Sequence, residues 1–84
     1  MAKTNVEQII SLMEEVINDT SIPKNVRKAV SDAKEKMSNN EEELRTRASS
    51  AIYLLDEVSN DINMPMHART QIWTLMGALE TVKS

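Results

Sequence analysis

The segment Leu12-Met13-Glu14-Glu15-Val16-Ile17-Asn18-Asp19 returns 42 residues later as Leu54-Leu55-Asp56-Glu57-Val58-Ser59-Asn60-Asp61. The register continues beyond it. Ile22-Pro23 falls on Met64-Pro65, Arg27 on Arg69, Val30 on Ile72 and Met37 on Leu79. A chain of 84 residues that carries one pattern twice is expected to fold as two copies of one supersecondary unit.

Each copy reads as two helices. Val6, Ile9, Ile10, Met13, Val16 and Ile17 recur at three- and four-residue spacing. Thr4 with Glu7 forms a capping-box pattern ahead of them, so a first helix is expected over about 5–19. Ser21 is the expected N-cap of a second helix, with Pro23 in its first turn, where a missing N–H costs nothing. That helix carries Val26, Ala29, Val30, Ala33 and Met37 inward. Ser38-Asn39-Asn40 breaks the pattern, and Asn40 with Glu43 is the expected cap of a third helix, with acids in its first turn. The third helix is expected to bury Leu44, Ala48, Ala51, Ile52, Leu55 and Val58. Asn63 and Pro65 repeat the arrangement of Ser21 and Pro23 and open a fourth helix, with Ala68, Ile72, Leu75, Leu79 and Val82 on one stripe.

A period near 40 that holds two helices is the size of a solenoid repeat, and Asp19 to Ala29 is faintly similar to a HEAT repeat. The second copy departs from that pattern at Ala68-Arg69-Thr70-Gln71. Two copies also fall short of the three or so that a stacked solenoid needs. The expected fold is therefore all-α: a four-helix bundle of two pseudo-symmetric hairpins in one domain, 1–84, with repeats at about 4–38 and 41–83. A chain of this length has room for a single core. Tyr53 and Trp73 are its only aromatic residues, so that core is aliphatic and filled with methionine.

The chain resembles one of the uncharacterised families of short archaeal proteins that have no assigned function. The likeness is carried by Leu12 to Lys36, Arg47-Ala48-Ser49-Ser50-Ala51-Ile52-Tyr53, Asp56-Glu57-Val58-Ser59-Asn60-Asp61, and Met64-Pro65 through Trp73. The resemblance implies a small helical bundle in an archaeal cytoplasm and brings no activity with it.

Composition narrows the chemistry. There is no cysteine, which removes disulfides, thiolate metal sites and cysteine nucleophiles and fits a cytoplasmic protein. No apolar run approaches the length of a membrane span, and Met1-Ala2-Lys3-Thr4 is not the start of a secretory signal. Acids gather at the repeated turns, as Glu14, Glu15 and Asp19 and as Asp56, Glu57 and Asp61. A bundle metal site usually needs a Glu-x-x-His, and His67 has no acid three residues before it. Asp19 and Asp61 are instead expected to favour the following helix N-terminus and reach Arg27 and Arg69. His67 is a lone histidine, and Gly77 belongs to no phosphate loop and is expected to serve close helix packing. No catalytic residue, metal or cofactor is expected, and the chain reads as non-enzymatic.

Two surfaces remain. The second helix presents Lys24, Arg27, Lys28 and Lys34 on the half away from Val26, Val30 and Met37. This is the expected face of a nucleic-acid or ribonucleoprotein accessory. Its bland counterpart is a basic helix that complements the acids of the first, and a net charge of −3 with no aromatic on the helix favours the latter. The aromatics break the repeat: Tyr53 aligns with Ser11, and Trp73 with Ser31. Trp73 lies off the inward stripe, with Met66, Arg69 and Met76 around it, and Trp, Met and Arg are what interface centres favour. The expected partner is a second copy of the chain or another protein. The bland alternative is that Trp73 folds over the bundle edge and covers a seam left by Ala29, Ala33, Ala48 and Ala51.

Overall fold

In a computed structural model that describes residues 6–83, the chain forms α1 (Val6–Ile17), α2 (Lys24–Ser38), α3 (Leu44–Val58) and α4 (Met66–Lys83), with no strand among the described residues. Thr4, the expected cap of the first helix, lies outside them. The helices form a ring. α1 packs on α2 and α4, α3 packs on α2 and α4, and the backbones of the diagonal pairs stay farther apart. Short connections between consecutive helices make every neighbouring pair antiparallel, as in an up-down-up-down bundle.

The inward stripes meet as expected from their spacing. Ile9, Met13 and Val16 of α1 face Val26, Val30, Ala33 and Met37 of α2, Ala48, Ala51 and Leu55 of α3, and Ala68, Ile72, Leu75 and Leu79 of α4. Ile22 and Met64, at matching places in the two turns, close one end of the core. No polar residue is buried as a whole among the described residues, and only single polar atoms such as Arg47 Nε and Gln71 Oε1 are covered. Where one copy is large the other is small: Ile9 corresponds to Ala51, Val26 to Ala68 and Ala33 to Leu75, which lets unequal side chains fill one volume. Several expected core residues are only half-buried, namely Ile10, Ala29, Leu44, Ile52, Val58 and Val82. Ile10 and Ile52 each follow a fully packed position, Ile9 and Ala51, and are turned about 100° from it toward the flank of the helix.

The helix starts differ from the expected ones. Pro23 itself is the N-cap of α2, with φ −54° and ψ 145°, and no side chain caps the helix. Its carbonyl accepts from the Arg27 N–H at 3.0 Å, and that of Pro65 accepts from Arg69 in the same way at 3.0 Å. Ser21 and Asn63 are therefore turn residues and not caps. Likewise α3 starts behind Glu43 and not Asn40, with no acid in its first turn. Asn39 Oδ1 accepts from the Glu41 N–H at 3.0 Å, which keeps the chain turning through Asn40. Gly77 is also corrected: it is exposed, and a Cβ built on it meets no atom within 4 Å, so no close packing inside the fold requires it.

Candidate interaction surface

The turns are organised by two aspartates. Asp19 Oδ1 accepts from the Ser21 N–H at 2.9 Å and from its hydroxyl at 2.6 Å, and Asp61 Oδ1 accepts from the Asn63 N–H at 2.8 Å. Their second oxygens reach the opposite hairpin. His67 Nε2, in the first turn of α4, lies 3.0 Å from Asp19 Oδ2, and Asn25 Nδ2, in the first turn of α2, donates to Asp61 Oδ2 at 2.8 Å. The Ser21 hydroxyl and N–H, followed by His67, hold Asp19 below the usual carboxylate range; Asn25, followed by the Asn63 N–H, does the same for Asp61. The expected carboxylate contacts to Arg27 and Arg69 are not made. Arg27 Nε donates to the Ile22 carbonyl at 3.0 Å, and Arg69 Nη2 to the main-chain carbonyl of Asp61 at 3.4 Å. Each arginine closes its own turn, which leaves each aspartate to join the two hairpins. Among the described residues no three His, Asp or Glu side chains converge as metal ligands would.

The basic face of α2 is largely compensated. Lys34 Nζ sits 3.0 Å from Glu14 of α1, Lys28 Nζ 3.2 Å from Asp32, and Arg27 is half-buried against the Ile22 carbonyl. Lys24 stands exposed at the head of the helix. The complement of acidic α1 and basic α2 thus takes the form of one direct ion pair, Lys34 with Glu14, while Lys24 and Lys28 stay exposed.

The outer face of α4 is different in kind. Trp73 keeps 58% of its surface exposed, Met66 75% and Ile62, in the preceding turn, 90%. Trp73 therefore leaves most of its surface to solvent, while Ala33, Ala48 and Ala51 are buried and Ala29 is half-buried. Arg69 and Met76 are half-buried on the flank, the first tied to Asp61 and the second packed against the core. Position by position, Met66, Thr70, Thr74 and Gly77 stand where α2 has Lys24, Lys28, Asp32 and Glu35, and Trp73 stands where α2 has Ser31. Ile62 likewise replaces Thr20. Two threonine hydroxyls of α4 bond within the helix: Thr74 Oγ1 donates to the Thr70 carbonyl at 3.0 Å, and Thr81 Oγ1 to that of Gly77 at 3.1 Å. This directs the donors of Thr74 and Thr81 inward along the helix. Sequence reasoning found Trp73 and Met66 here but missed Ile62 and the loss of charge; the aligned copy α2 held the signal for both.

Tyr53 is 66% exposed on the far side of α3 and borders a shallow groove with Lys36, Ser49, Ser50 and Leu54, between α2 and α3. It stands apart from the α4 surface.

A ring of four helices whose hairpins exchange hydrogen bonds at their turns, with one helix uncharged at the centre of its outer face, defines a small bundle with an asymmetric surface. The family model described as "Uncharacterised protein family (UPF0147)" matches residues 1–82, and the chain belongs to that family. A UPF0147 protein of Pyrococcus horikoshii is 48% identical over 79 residues, covering 93% of this chain and 85% of the relative. One from Methanocaldococcus jannaschii is 50% identical over 72 residues, covering 86% and 77%. The crystal structure of the unknown-function protein MMP1188 superposes with a TM-score of 0.91 at 42% identity over 100% of both chains. That of a UPF0147 protein from Thermoplasma acidophilum gives 0.86 at 38% identity, covering 90% and 89%. Among the described residues no helix is long and apolar enough to cross a membrane.

Proposed function

We propose that this chain is a non-enzymatic interaction protein that docks through the outer face of α4, around Trp73 and Met66. One observation carries the reading. A surface helix normally keeps its charged residues opposite the core stripe, as α2 does with Lys24, Lys28, Asp32 and Glu35. On α4 those positions hold Met66, Thr70, Thr74 and Gly77, with Trp73 beside them, so both faces of the helix are free of charge at its centre. The absence of charge there supports reading this face as one that a partner covers. Its threonine donors support the same reading, since Thr74 and Thr81 already bond to main-chain carbonyls and lose little on desolvation. Its place of action is taken to be the cytoplasm, consistent with a chain that has no cysteine.

The test is photo-crosslinking in native lysate from a benzophenone side chain at position 73, compared with the same group at the matching position 31 of α2. Adducts from 73 and not from 31 are expected. Equal yields from the two positions, or no adduct from 73, would remove the reading.

A further inference from the structure

We infer that the occupant of this face is a second copy of the chain, in an antiparallel α4–α4 contact about a twofold axis, with Trp73 of each copy seated over Gly77 of the other. The inference rests on the proposed docking role of α4 and adds the partner. Gly77 is the starting point. It is the only glycine in the chain, it lies in the middle of an 18-residue helix, and it is exposed, with open space where a Cβ would stand. Glycine is a poor helix former, and nothing within the fold uses its small size. What it provides is a notch through which another backbone or a large ring approaches closely.

The ring is one turn away. Trp73 precedes Gly77 by four residues, so a twofold axis at the level of Leu75 places each Trp73 opposite the other copy's Gly77. The same axis decides the charges. Arg69, half-buried with its Nη2 donating to the Asp61 carbonyl at 3.4 Å, then stands at the level of the far copy's Thr81, beside Glu80, while Arg69 and Glu80 of one chain are eleven residues apart, about 16 Å along the helix, too far to pair. Both lie on the flank of α4 that carries Met76, which a perpendicular twofold keeps on one side of the contact. The surface is thus complementary to itself: the rim cation of one copy meets the rim anion of the other, and the uncharged centre meets itself. Glu80 lies 3.9 Å from Lys83 in the single chain, at the same rim.

The register is tested by crosslinking, since the chain has no cysteine of its own. A mixture of Arg69→Cys and Glu80→Cys chains treated with a short bismaleimide is expected to give the mixed dimer, while either variant alone gives none, its two cysteines being about 15–18 Å apart along the axis. Gly77→Leu fills the notch and is expected to weaken dimerisation in sedimentation equilibrium at least ~10-fold with unchanged helical content, the loss expected when a central contact is blocked. Wild type that sediments as a monomer at about 1 mM, a concentration that populates even a weak dimer, would overturn the second copy. In that event adducts from position 73 to a different protein leave the docking role standing, and their absence removes both. A dimer that crosslinks 69 to 69, or that tolerates Gly77→Leu, would overturn the arrangement.

Discussion

His67, which opens the fourth helix, bonds to Asp19 in the turn between the first two, at 3.0 Å. Asn25 bonds to Asp61 at 2.8 Å from the corresponding position of the other hairpin. Histidine and asparagine thus do one job at matching sites. His67→Asn is therefore expected to keep the thermal midpoint of the wild type, and His67→Ala to lower it. Equal midpoints for the two variants would show that the contact stabilises nothing.

Both aspartates are held below their ordinary carboxylate value of 3.8, Asp19 first by Ser21 and Asp61 first by Asn25. A folded value below the unfolded one means that the stabilisation is complete above the unfolded value and is lost as the pH falls through the folded one. Urea midpoints are expected to hold level above about pH 5 and to fall below about pH 4. In Asp19→Asn/Asp61→Asn the acid limb becomes shallower. An acid limb as steep as the wild type's would assign the effect to other carboxylates.

Leu55 is fully buried at the centre of the ring, and its removal leaves a cavity lined by aliphatic side chains. Leu55→Ala is expected to cost about 2–5 kcal/mol in urea unfolding, a large share of what a small domain has. Ile52→Ala, three residues earlier and half-buried, costs less. The reverse order would mean that the inward stripe is wrongly placed.

Gly77→Ala meets open space and replaces the poorest helix former except proline, so the monomer gains about 0.5–1 kcal/mol. The check is chemical denaturation at a concentration low enough to keep the chain monomeric. A loss would reveal a contact at Gly77 within the fold.

Residues 9–37 are expected to superpose on 51–79 by a rotation near a half-turn in a crystal structure of this chain. Hairpins with different crossing geometry would rule this out.

Spacing made the inward faces legible because burial follows the helical period, and a 42-residue match fixed which turns correspond. The half-burial of Ile10 and Ile52 was not legible, since both sit at the edge of a stripe whose width depends on how closely neighbouring helices approach. The caps were misread for a different reason. Proline at 23 and 65 takes the position next to the helix, so the favourable capping types Ser21 and Asn63 stand two residues too early and bond to an aspartate instead. The pairing of Asp19 with His67 joins residues 48 apart, and no local rule of reach along a helix points to it. At the surface, Trp73 stood out by its size, whereas the charge missing from Thr70, Thr74 and Gly77 shows only when α4 is laid on α2.

The crossed turn bonds have a consequence for how the two hairpins depend on each other. A hairpin holding an aspartate in its turn and an amide or imidazole at the head of its second helix cannot join the two by itself in this geometry; it needs a mate that offers the same pair in return. Two separate molecules of one such hairpin, related by a half-turn, would exchange these bonds as the two halves of this chain do. Joining two such hairpins through a segment like 39–43 would hold that mutual exchange within one chain.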